Sequence, residues 1–236
     1  MTKIYSYVLP YDCGAAPNPL WGICTLTICK PVIRSNASLN DWVIGTGSVN
    51  AECSKSKYQD FSGKLIYAMK ITDIKSLQQY DEFCKISLPN KIPNWQSTDW
   101  QFRMGDCIYD YSDNIEHPAQ RGGFHNEGNR EVDLKGKKAL LSNHFYYFGD
   151  DAQTIPDDLK EIIKQKQGHR KIENEALVKR FEEWMLSKFQ LNKIYGDPQM
   201  RWQFDNQTEN EIATACSVCA ERHLNDDIDI TEERYC

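Results

Sequence analysis

The chain lacks a long apolar run, because none of its hydrophobic stretches approaches the roughly 20 residues that span a bilayer. Its first residues, Met-Thr-Lys-Ile-Tyr-Ser-Tyr, enter a strand-like pattern at once and lack the apolar core of a signal peptide. With 40% hydrophobic and 26% charged residues, the composition is that of a water-soluble globular protein. We therefore expect no membrane contact and a cytoplasmic location.

Several familiar catalytic patterns are also missing. The sequence has no G-x-S-x-G elbow, no H-E-x-x-H pair, and no His-x-Glu with a downstream Pro-Cys-x-x-Cys of the deaminase type. The Gly-Thr-Gly-Ser segment after Ile44 lacks the spacing and the lysine of a phosphate-binding loop. No cofactor is predicted, although an enzyme with an unfamiliar site remains an alternative.

Cysteine and charge are unevenly distributed. The nine cysteines are an odd number, and we interpret Cys24, Cys29, Cys84 and Cys107, which border apolar runs, as small buried thiols in a reducing compartment. The segment from Asp205 to Arg234 has nine acidic and two basic residues, which leaves 26 basic and 25 acidic residues for the rest of the chain. Such a nearly neutral body suits one pocket for a base or a phosphate better than general polyanion binding.

The first two-thirds of the chain predict short strands between turns. The candidate strands are Ile4–Leu9, Ile23–Cys29, Asp41–Gly45, Lys64–Ile71, Asp106–Tyr109, Lys138–Ser142 and His144–Phe148. The segments Tyr58–Gly63 and Asn94–Gly105 are interpreted as loops. The long polar segment Asp113–Gly136 is interpreted as a mobile lid or a partner-binding loop.

Helices are predicted near the C-terminal end. One is expected from Pro156 to Gly168, and a second from about Glu173 to Phe189. In the second, a buried face is expected from residues at helical spacing: Leu177, Phe181, Trp184, Met185 and Lys188. We expect an α+β fold with a strongly bent mixed sheet or a small barrel and helices packed on it. Residues 1–204 form the predicted domain, and residues 205–236 an acidic, weakly ordered extension.

The segment Tyr11-Asp-Cys-Gly-Ala-Ala-Pro-Asn-Pro-Leu-Trp-Gly22 is the strongest candidate for a binding loop. Proline restricts the residue before it, and glycine allows backbone angles closed to other residues. Loops braced in this way often carry binding groups, here Tyr11, Asp12 and Asn18. A plain proline-rich turn that covers the end of a sheet is an equal alternative.

Other candidate ligand-binding groups lie on predicted strands. The segment Asp41-Trp-Val-Ile-Gly-Thr-Gly-Ser48 offers an indole at Trp42 and hydroxyls at Thr46 and Ser48. In Phe145-Tyr-Tyr-Phe148 the side chains should alternate between the faces of a strand, so that Tyr146 or Tyr147 could stack on a base. A tight turn and ordinary core packing are the respective alternatives.

Candidate acid–base and metal groups are fewer. Asp106 could accept hydrogen bonds from a base edge or cap a turn, and His125 lies in the long polar segment. With Asp12, these two form the candidate catalytic set. Cys216 and Cys219 with His223 have metal-like spacing, but a structural zinc site needs four ligands, so no metal is predicted.

These blocks resemble the second of the nucleotide modification associated domain families. The resemblance rests on Tyr11-Asp-x-Gly-x-Ala-Pro-Asn-Pro19, Cys24-Thr-Leu-Thr-Ile-Cys-Lys-Pro31, Asp41–Ser48, Gly63–Met69, Met104-Gly-Asp106, Phe124-His125, Leu141-Ser142, Phe145–Gly149, Gly168-His-Arg170 and Gly196-Asp-Pro198. It covers roughly residues 3–204. The Trp42–Ser48 strand also resembles the entry strand of PUA-like folds (PUA, ASCH, EVE and YTH domains), except that Asn40 stands where a Gly often does.

The resemblance implies an association with DNA or nucleotide base modification and with defence against phages. The leading hypothesis is a module that binds a modified base or nucleotide, free or within DNA. The proposed ligand-binding residues are Tyr11, Asp12, Asn18, Trp42, Thr46, Ser48, Asp106, Tyr146 and Tyr147. One alternative is an enzyme that acts on nucleotides or bases through Asp12, Asp106 and His125. The other is an interaction subunit that meets a protein partner through the acidic extension.

Overall fold

The computed structural model describes residues 1–52, 58–165 and 168–200. The predicted acidic extension, with Cys216, Cys219 and His223, lies outside these described residues. Within the described ranges, no helix has the length and the apolar composition needed to cross a membrane.

The described chain alternates short strands with short helices. The strands are β1 Ile4–Leu9, β2 Cys24–Leu26, β3 Trp42–Gly47, β4 Ala51–Glu52, β5 Tyr58–Gln59, β6 Lys64–Lys70, β7 Asp73–Ser76, β8 Tyr109–Asp110, β9 Ala119–Gln120, β10 Lys138–Ser142, β11 Phe145–Tyr147, β12 Gln153–Thr154, β13 His169–Ile172 and β14 Lys193–Ile194. The α-helices are α1 Pro31–Asn36, α2 Leu77–Ser87, α3 Trp100–Arg103, α4 Arg130–Lys135 and α5 Glu175–Lys188. Short 3-10 helices cover Pro89–Lys91, Glu127–Asn129, Gly149–Asp151 and Asp157–Ile162.

The central sheet has seven strands in the order β13-β1-β3-β6-β11-β14, with β12 paired to β6. The pairs β1–β3 and β11–β14 are parallel, and the other pairs in this sheet are antiparallel. A separate three-stranded sheet has the order β2-β10-β7. The α+β class and the mixed sheet are thus confirmed. The central sheet is open at β13 and β14, so the expected alternative of a closed barrel is wrong.

The two faces of the central sheet are buried in separate cores. On one face, Trp42 and Tyr146 pack with Phe181 and Met185 of α5. On the other, Tyr147 packs in a core that includes Leu26 of β2 and Leu140 of β10. The alternation predicted for Phe145–Phe148 is confirmed, but all four side chains are buried. Both faces are covered, so neither tyrosine of this run faces solvent.

The helix predictions succeed only in part. The helix α5 matches the second predicted helix, although Lys188 is exposed and Val178 takes its place among the buried residues. The helix expected from Pro156 is reduced to the 3-10 helix Asp157–Ile162. Its buried residues Leu159 and Ile162 are three apart, which suits three residues per turn.

The long polar segment does not form the loop that was expected. It contains β9, the 3-10 helix Glu127–Asn129 and α4, and Asn129 and Asp133 are buried in it. The predicted strand Asp106–Tyr109 is shifted to Tyr109–Asp110, and α2 was missed altogether. The start of α2 is fixed by a capping box between Ser76 and Gln79.

Candidate functional site

Asp12 lies in the loop that follows β1, and its side chain has no solvent exposure. The Tyr147 hydroxyl donates to the carboxylate, at 2.8 Å from each oxygen, and the Gly14 N–H lies 3.3 Å from Oδ1. From the far end of the described chain, the Met200 N–H donates to the Asp12 carbonyl at 3.0 Å. Asp12 is therefore held between β11 and two loops.

Burial raises the pKa of Asp12 to about 6, against the hydrogen bonds from Tyr147 and Gly14 that lower it. Two further tyrosines lie near Asp12. The hydroxyls of Tyr7 and Tyr67 form a hydrogen bond of 2.9 Å, and both residues interact electrostatically with Asp12. We call Tyr7, Asp12, Tyr67 and Tyr147 the Asp12 site. Its carboxyl changes protonation near neutral pH, where one oxygen can either accept or donate a hydrogen bond.

This pKa predicts a pH dependence of stability that an asparagine would remove. Because the folded-state pKa lies above the ordinary value near 4, the protonated carboxyl is favoured by folding, and that contribution is lost as the pH rises through 6. Wild type should lose about 2 kcal/mol more of its free energy of unfolding than Asp12→Asn between about pH 4.5 and about pH 8. Urea unfolding of both proteins at the two pH values measures this. Equal losses would show that Asp12 does not titrate as stated.

A second buried cluster, the Lys91 network, consists of Asn18, Thr25, Tyr80, Lys91 and Asp106. The ammonium of Lys91 lies 2.9 Å from the backbone and side-chain oxygens of Asn18, from the Ile23 carbonyl and from the Thr25 hydroxyl. The Asn18 amide in turn donates to the Met104 carbonyl at 2.7 Å. Asn18 therefore braces the loop from inside.

Asp106 completes this network. Its carboxylate accepts from the Thr25 hydroxyl at 2.6 Å and from the Tyr80 hydroxyl at 2.7 Å. Burial raises the pKa of Asp106, against the nearby Lys91 charge, and burial lowers the pKa of Lys91. Both oxygens of Asp106 are engaged by hydroxyls of the protein, an arrangement that holds β2 to α2.

A third group was not predicted as a unit. The thiol of Cys29 lies 3.3 Å from Nε2 of His125, and Nδ1 of His125 lies 2.5 Å from Oδ2 of Asp133. We call these residues the Cys29 cluster. Exposure falls along it: Cys29 is half-buried, His125 is 9% exposed and Asp133 is fully buried. Cys29 is thus the most exposed of the three residues.

The electrostatics of the Cys29 cluster favour charge separation. Burial lowers the pKa of His125, but the Asp133 carboxylate and Cys29 outweigh it and hold that pKa well above 6.5. Burial likewise raises the pKa of Asp133, but His125 and Arg34 together keep it below its ordinary value. The imidazole is therefore protonated, and the carboxyl ionised, at neutral pH.

The ligand atoms of the Cys29 cluster lie within 4.8 Å of one another, which raises the question of a metal. A metal needs ligand atoms that converge on one point, with zinc distances of about 2.0–2.3 Å. Here Nδ1 of His125 and Oδ2 of Asp133 lie 2.5 Å apart and form a hydrogen bond with each other. The remaining close pair of candidate ligand atoms is Sγ of Cys29 and Nε2 of His125. The geometry fits an oriented imidazole better than a metal centre.

The Asp12 site and the Cys29 cluster are neighbours. Tyr7 interacts electrostatically with both Asp12 and Cys29, and the ammonium of Lys30 lies 5.0 Å from the centre of the Tyr7 ring. One core cluster contains Ala15 and Leu20 of the loop together with Ile28 and Phe124, the residues before Cys29 and His125. The loop, the Cys29 turn and the His125 segment thus pack against one another.

The other predicted site residues are dispersed. Trp42 and Tyr146 lie on the α5 face of the central sheet, opposite Tyr147. Buried Thr46 donates to the Tyr7 carbonyl at 3.2 Å, and half-exposed Ser48 accepts weakly from the Asn50 N–H. Tyr11 is half-exposed beside Asp12. The structure therefore brings Asp12 and Tyr147 together, and does not join Trp42 or Tyr146 to them.

Sequence reasoning missed two members of the Cys29 cluster. Cys29 was expected to be buried like Cys24, Cys84 and Cys107, which are buried, but it is half-exposed. Asp133 lies in a polar segment without any pattern of its own. A signal could have been found at Cys29-Lys-Pro31, where a cysteine lies two residues before the proline that starts a helix.

Comparisons with known proteins identify the family. No curated protein and no solved structure matches the chain. Residues 1–206 match the family described as nucleotide modification associated domain 2. This match spans most of the 236 residues, and it agrees with the resemblance carried by the Asp12 loop and the Trp42–Ser48 strand. The chain therefore belongs to the nucleotide modification associated domain 2 family, and this membership associates it with nucleotide modification.

Proposed function

We propose that this domain recognises a modified base or nucleotide as part of a DNA modification system. The observation that carries the proposal is Asp12, a buried carboxyl with a pKa of about 6 at the end of a strand. Strongly shifted pKa values concentrate at functional sites, because burial and specific partners are arranged there for a task. Family membership supplies the class of ligand.

The chemistry of Asp12 suits the edge of a base. An ionised carboxylate accepts from an exocyclic amino group, as in contacts to cytosine, whereas a protonated one donates to a ring nitrogen. A pKa of about 6 leaves both forms accessible near neutral pH. Half-exposed Tyr11, the preceding residue, offers a ring on which a base can stack.

The position of the site in the fold supports the same proposal. The strands β1 and β3 are parallel, with Leu9 opposite Gly47. The Asp12 loop and Ser48 therefore follow the carboxyl ends of neighbouring strands, at the same edge of the sheet. Ligands of open sheets with parallel strands are commonly bound at such ends. Lys30 adds a positive charge beside Tyr7, which suits one phosphate rather than a long duplex.

Calorimetric titration tests the proposal. The ligands are dCMP, 5-hydroxymethyl-dCMP, dAMP and N6-methyl-dAMP, each also placed within a short single strand. We expect at least one modified form to bind, and Asp12→Asn to weaken that binding by about 5–150-fold, the equivalent of 1–3 kcal/mol for a mispaired buried group.

The matched control is Asp41→Asn. Asp41 is also a buried carboxyl and accepts backbone N–H groups of Lys3 and Ser38, but it precedes β3 and so lies at the opposite end of that strand. Its variant should keep the affinity of wild type. If Asp12→Asn binds every ligand as tightly as Asp41→Asn does, the ligand does not meet Asp12.

Three finer expectations stay predictions. They are the likeness to PUA-like folds, the contribution of Asn18, Trp42, Thr46, Ser48, Asp106 and Tyr146 to a ligand pocket, and a protein partner for the acidic extension. Deletion of residues 206–236 followed by co-purification tests the last of these. Loss of a partner with nucleotide binding intact would favour it.

A further inference from the structure

We propose that Cys29 is a catalytic nucleophile, with His125 as its acid–base partner and Asp133 as the positioning residue. The reaction is hydrolytic transfer of an acyl- or amidine-type carbon, carried by a base or nucleotide, to the Cys29 sulfur and then to water. The identity of the carrier rests on the function proposed above, whereas the thiol chemistry rests on the Cys29 cluster itself.

The geometry is that of an activated nucleophile. A nucleophile needs a base within hydrogen-bond reach, and the base must itself be oriented by a third group. His125 meets both conditions, because Nε2 faces the Cys29 sulfur at 3.3 Å and Nδ1 faces the Asp133 carboxylate at 2.5 Å. Cys29 is the most exposed residue of the three, and the Asp133 carboxylate is kept from water.

Asp133 is fixed from several sides, so it can hold the imidazole in one orientation. Its Oδ1 accepts the Cys29 N–H at 2.9 Å, and its Oδ2 accepts the Tyr109 hydroxyl at 3.1 Å. Buried Arg34 donates to the Asp133 and Cys29 carbonyls at 2.5 and 2.7 Å. One carboxylate thus positions both the backbone of the nucleophile and the ring of its partner.

The turn that carries Cys29 is also unusual. Cys29 and Lys30 have φ values of 56° and 42°, in the left-handed region that few residues other than glycine adopt. Such backbone conformations persist where the surrounding structure enforces them, and they cluster at functional sites. Here the Asp133 and Arg34 hydrogen bonds hold the turn on both sides of the Cys29 peptide.

The proposed reaction balances without an external oxidant or reductant. In the reactive form of the pair, the Cys29 thiolate faces the protonated imidazole of His125. The sulfur attacks the substrate carbon, the C–S bond forms, and the leaving amine or alcohol departs with the proton from Nε2. Neutral His125 then accepts a proton from water, the hydroxide adds to the carbon, and the C–S bond breaks. Thiolate and imidazolium are restored, and the amine or alcohol is released together with the acid from an acyl carbon or the amide from an amidine carbon.

Alkylation of wild type by iodoacetamide, followed by peptide mass spectrometry from pH 5 to pH 9, tests the reactive form of the pair. Half-exposed Cys13 of the same chain is the internal reference. At about pH 6 we expect Cys29 to react about 10–100-fold faster than Cys13, because the imidazole of His125 lies 3.3 Å from the Cys29 sulfur and can act as its acid–base partner. His125→Gln and Asp133→Asn should each slow the alkylation of Cys29.

Acyl transfer is tested with p-nitrophenyl acetate. Wild type should release a burst of nitrophenolate and carry an acetyl group on Cys29, and Cys29→Ser should show neither. N4-acetyl-deoxycytidine monophosphate is the second probe, and its deacetylation should depend on Cys29 and His125. Arg103→Lys, on α3 and outside both sites, is the control variant and should behave as wild type.

Three outcomes would overturn the proposal. They are a Cys29 alkylation profile that matches that of Cys13, acetylation that does not involve Cys29, and stoichiometric metal whose removal by a chelator is needed before Cys29 reacts. The wild-type profile needs no variant to fold. If nucleotides bind through Asp12 while Cys29 is inert, only the nucleophile is wrong. If Cys29 reacts as expected while no nucleotide binds, the base-recognition function is wrong instead.

Discussion

Replacement of Lys91 by methionine is expected to lower the free energy of unfolding by about 3–5 kcal/mol, the usual cost of removing one partner from a buried charge network. The ammonium is fully buried and donates to oxygens of Asn18, Ile23 and Thr25. Without it the Ile23 carbonyl and the Thr25 hydroxyl lose this donor, and the Asn18 oxygens keep the N–H groups of Thr25 and Leu20. Asp106 loses the positive charge that offsets its burial. Methionine has a side chain of similar length, so the loss of unfolding free energy reports on the missing charge.

Urea unfolding of two further variants completes this test. Lys85→Met removes a lysine whose side chain is 34% exposed, and its buried partner Asp81 keeps the ion pair with Arg121, so the change should cost about 0–1 kcal/mol. In the double variant Lys91→Met/Asp106→Asn, the cost should be smaller than the sum of the single costs, because the two groups share Thr25. A cost for Lys91→Met no greater than that for Lys85→Met would contradict the prediction.

Most strands could be predicted because their apolar and β-branched residues form short runs between turn residues. Ile4–Leu9 of the central sheet and Lys138–Ser142 of the three-stranded sheet have the predicted bounds, and Trp42–Gly47 differs from its prediction by one residue at the start and two at the end. The failures are elements whose pattern is weak. In α2 one face carries buried Leu77, Tyr80 and Cys84, but polar residues outnumber them, and the capping box at Ser76 was the usable signal.

The candidate site shows a sharper limit. Asp12 and Asn18 were predicted because prolines and glycines mark their loop, and His125 because histidine is scarce in this chain. Asp133 had no such mark, since its role depends on contacts with Cys29, 104 positions away, and with Tyr109, 24 positions away. Lys91 likewise meets Asn18 from 73 positions away. Sequence patterns report neighbours within one element, whereas these groups meet only when the elements pack.

Trp42 was singled out from the sequence as a ligand-binding group, and the structure places its indole in the core between the central sheet and α5. Replacement of Trp42 by alanine is expected to lower the free energy of unfolding by about 3–5 kcal/mol, because the indole is 1% exposed and a large cavity would remain. It packs edge-on against Phe181 and His144, with ring centres 5.3 Å apart in each case. Its Nε1 donates to Glu182 at 2.9 Å, which joins β3 to α5.

Trp42→Phe is the matched variant for this last test. It keeps an aromatic ring and removes the hydrogen bond to Glu182, which still pairs with Lys70 at 2.8 Å, so the cost should fall to about 1–2 kcal/mol. Because the sheet lies between Trp42 and the Asp12 site, nucleotide affinity of Trp42→Phe should equal that of wild type. Loss of nucleotide binding in this variant, with a stability cost no greater than about 2 kcal/mol, would place the ligand on the α5 face and would assign the indole to the binding site, as the sequence had suggested.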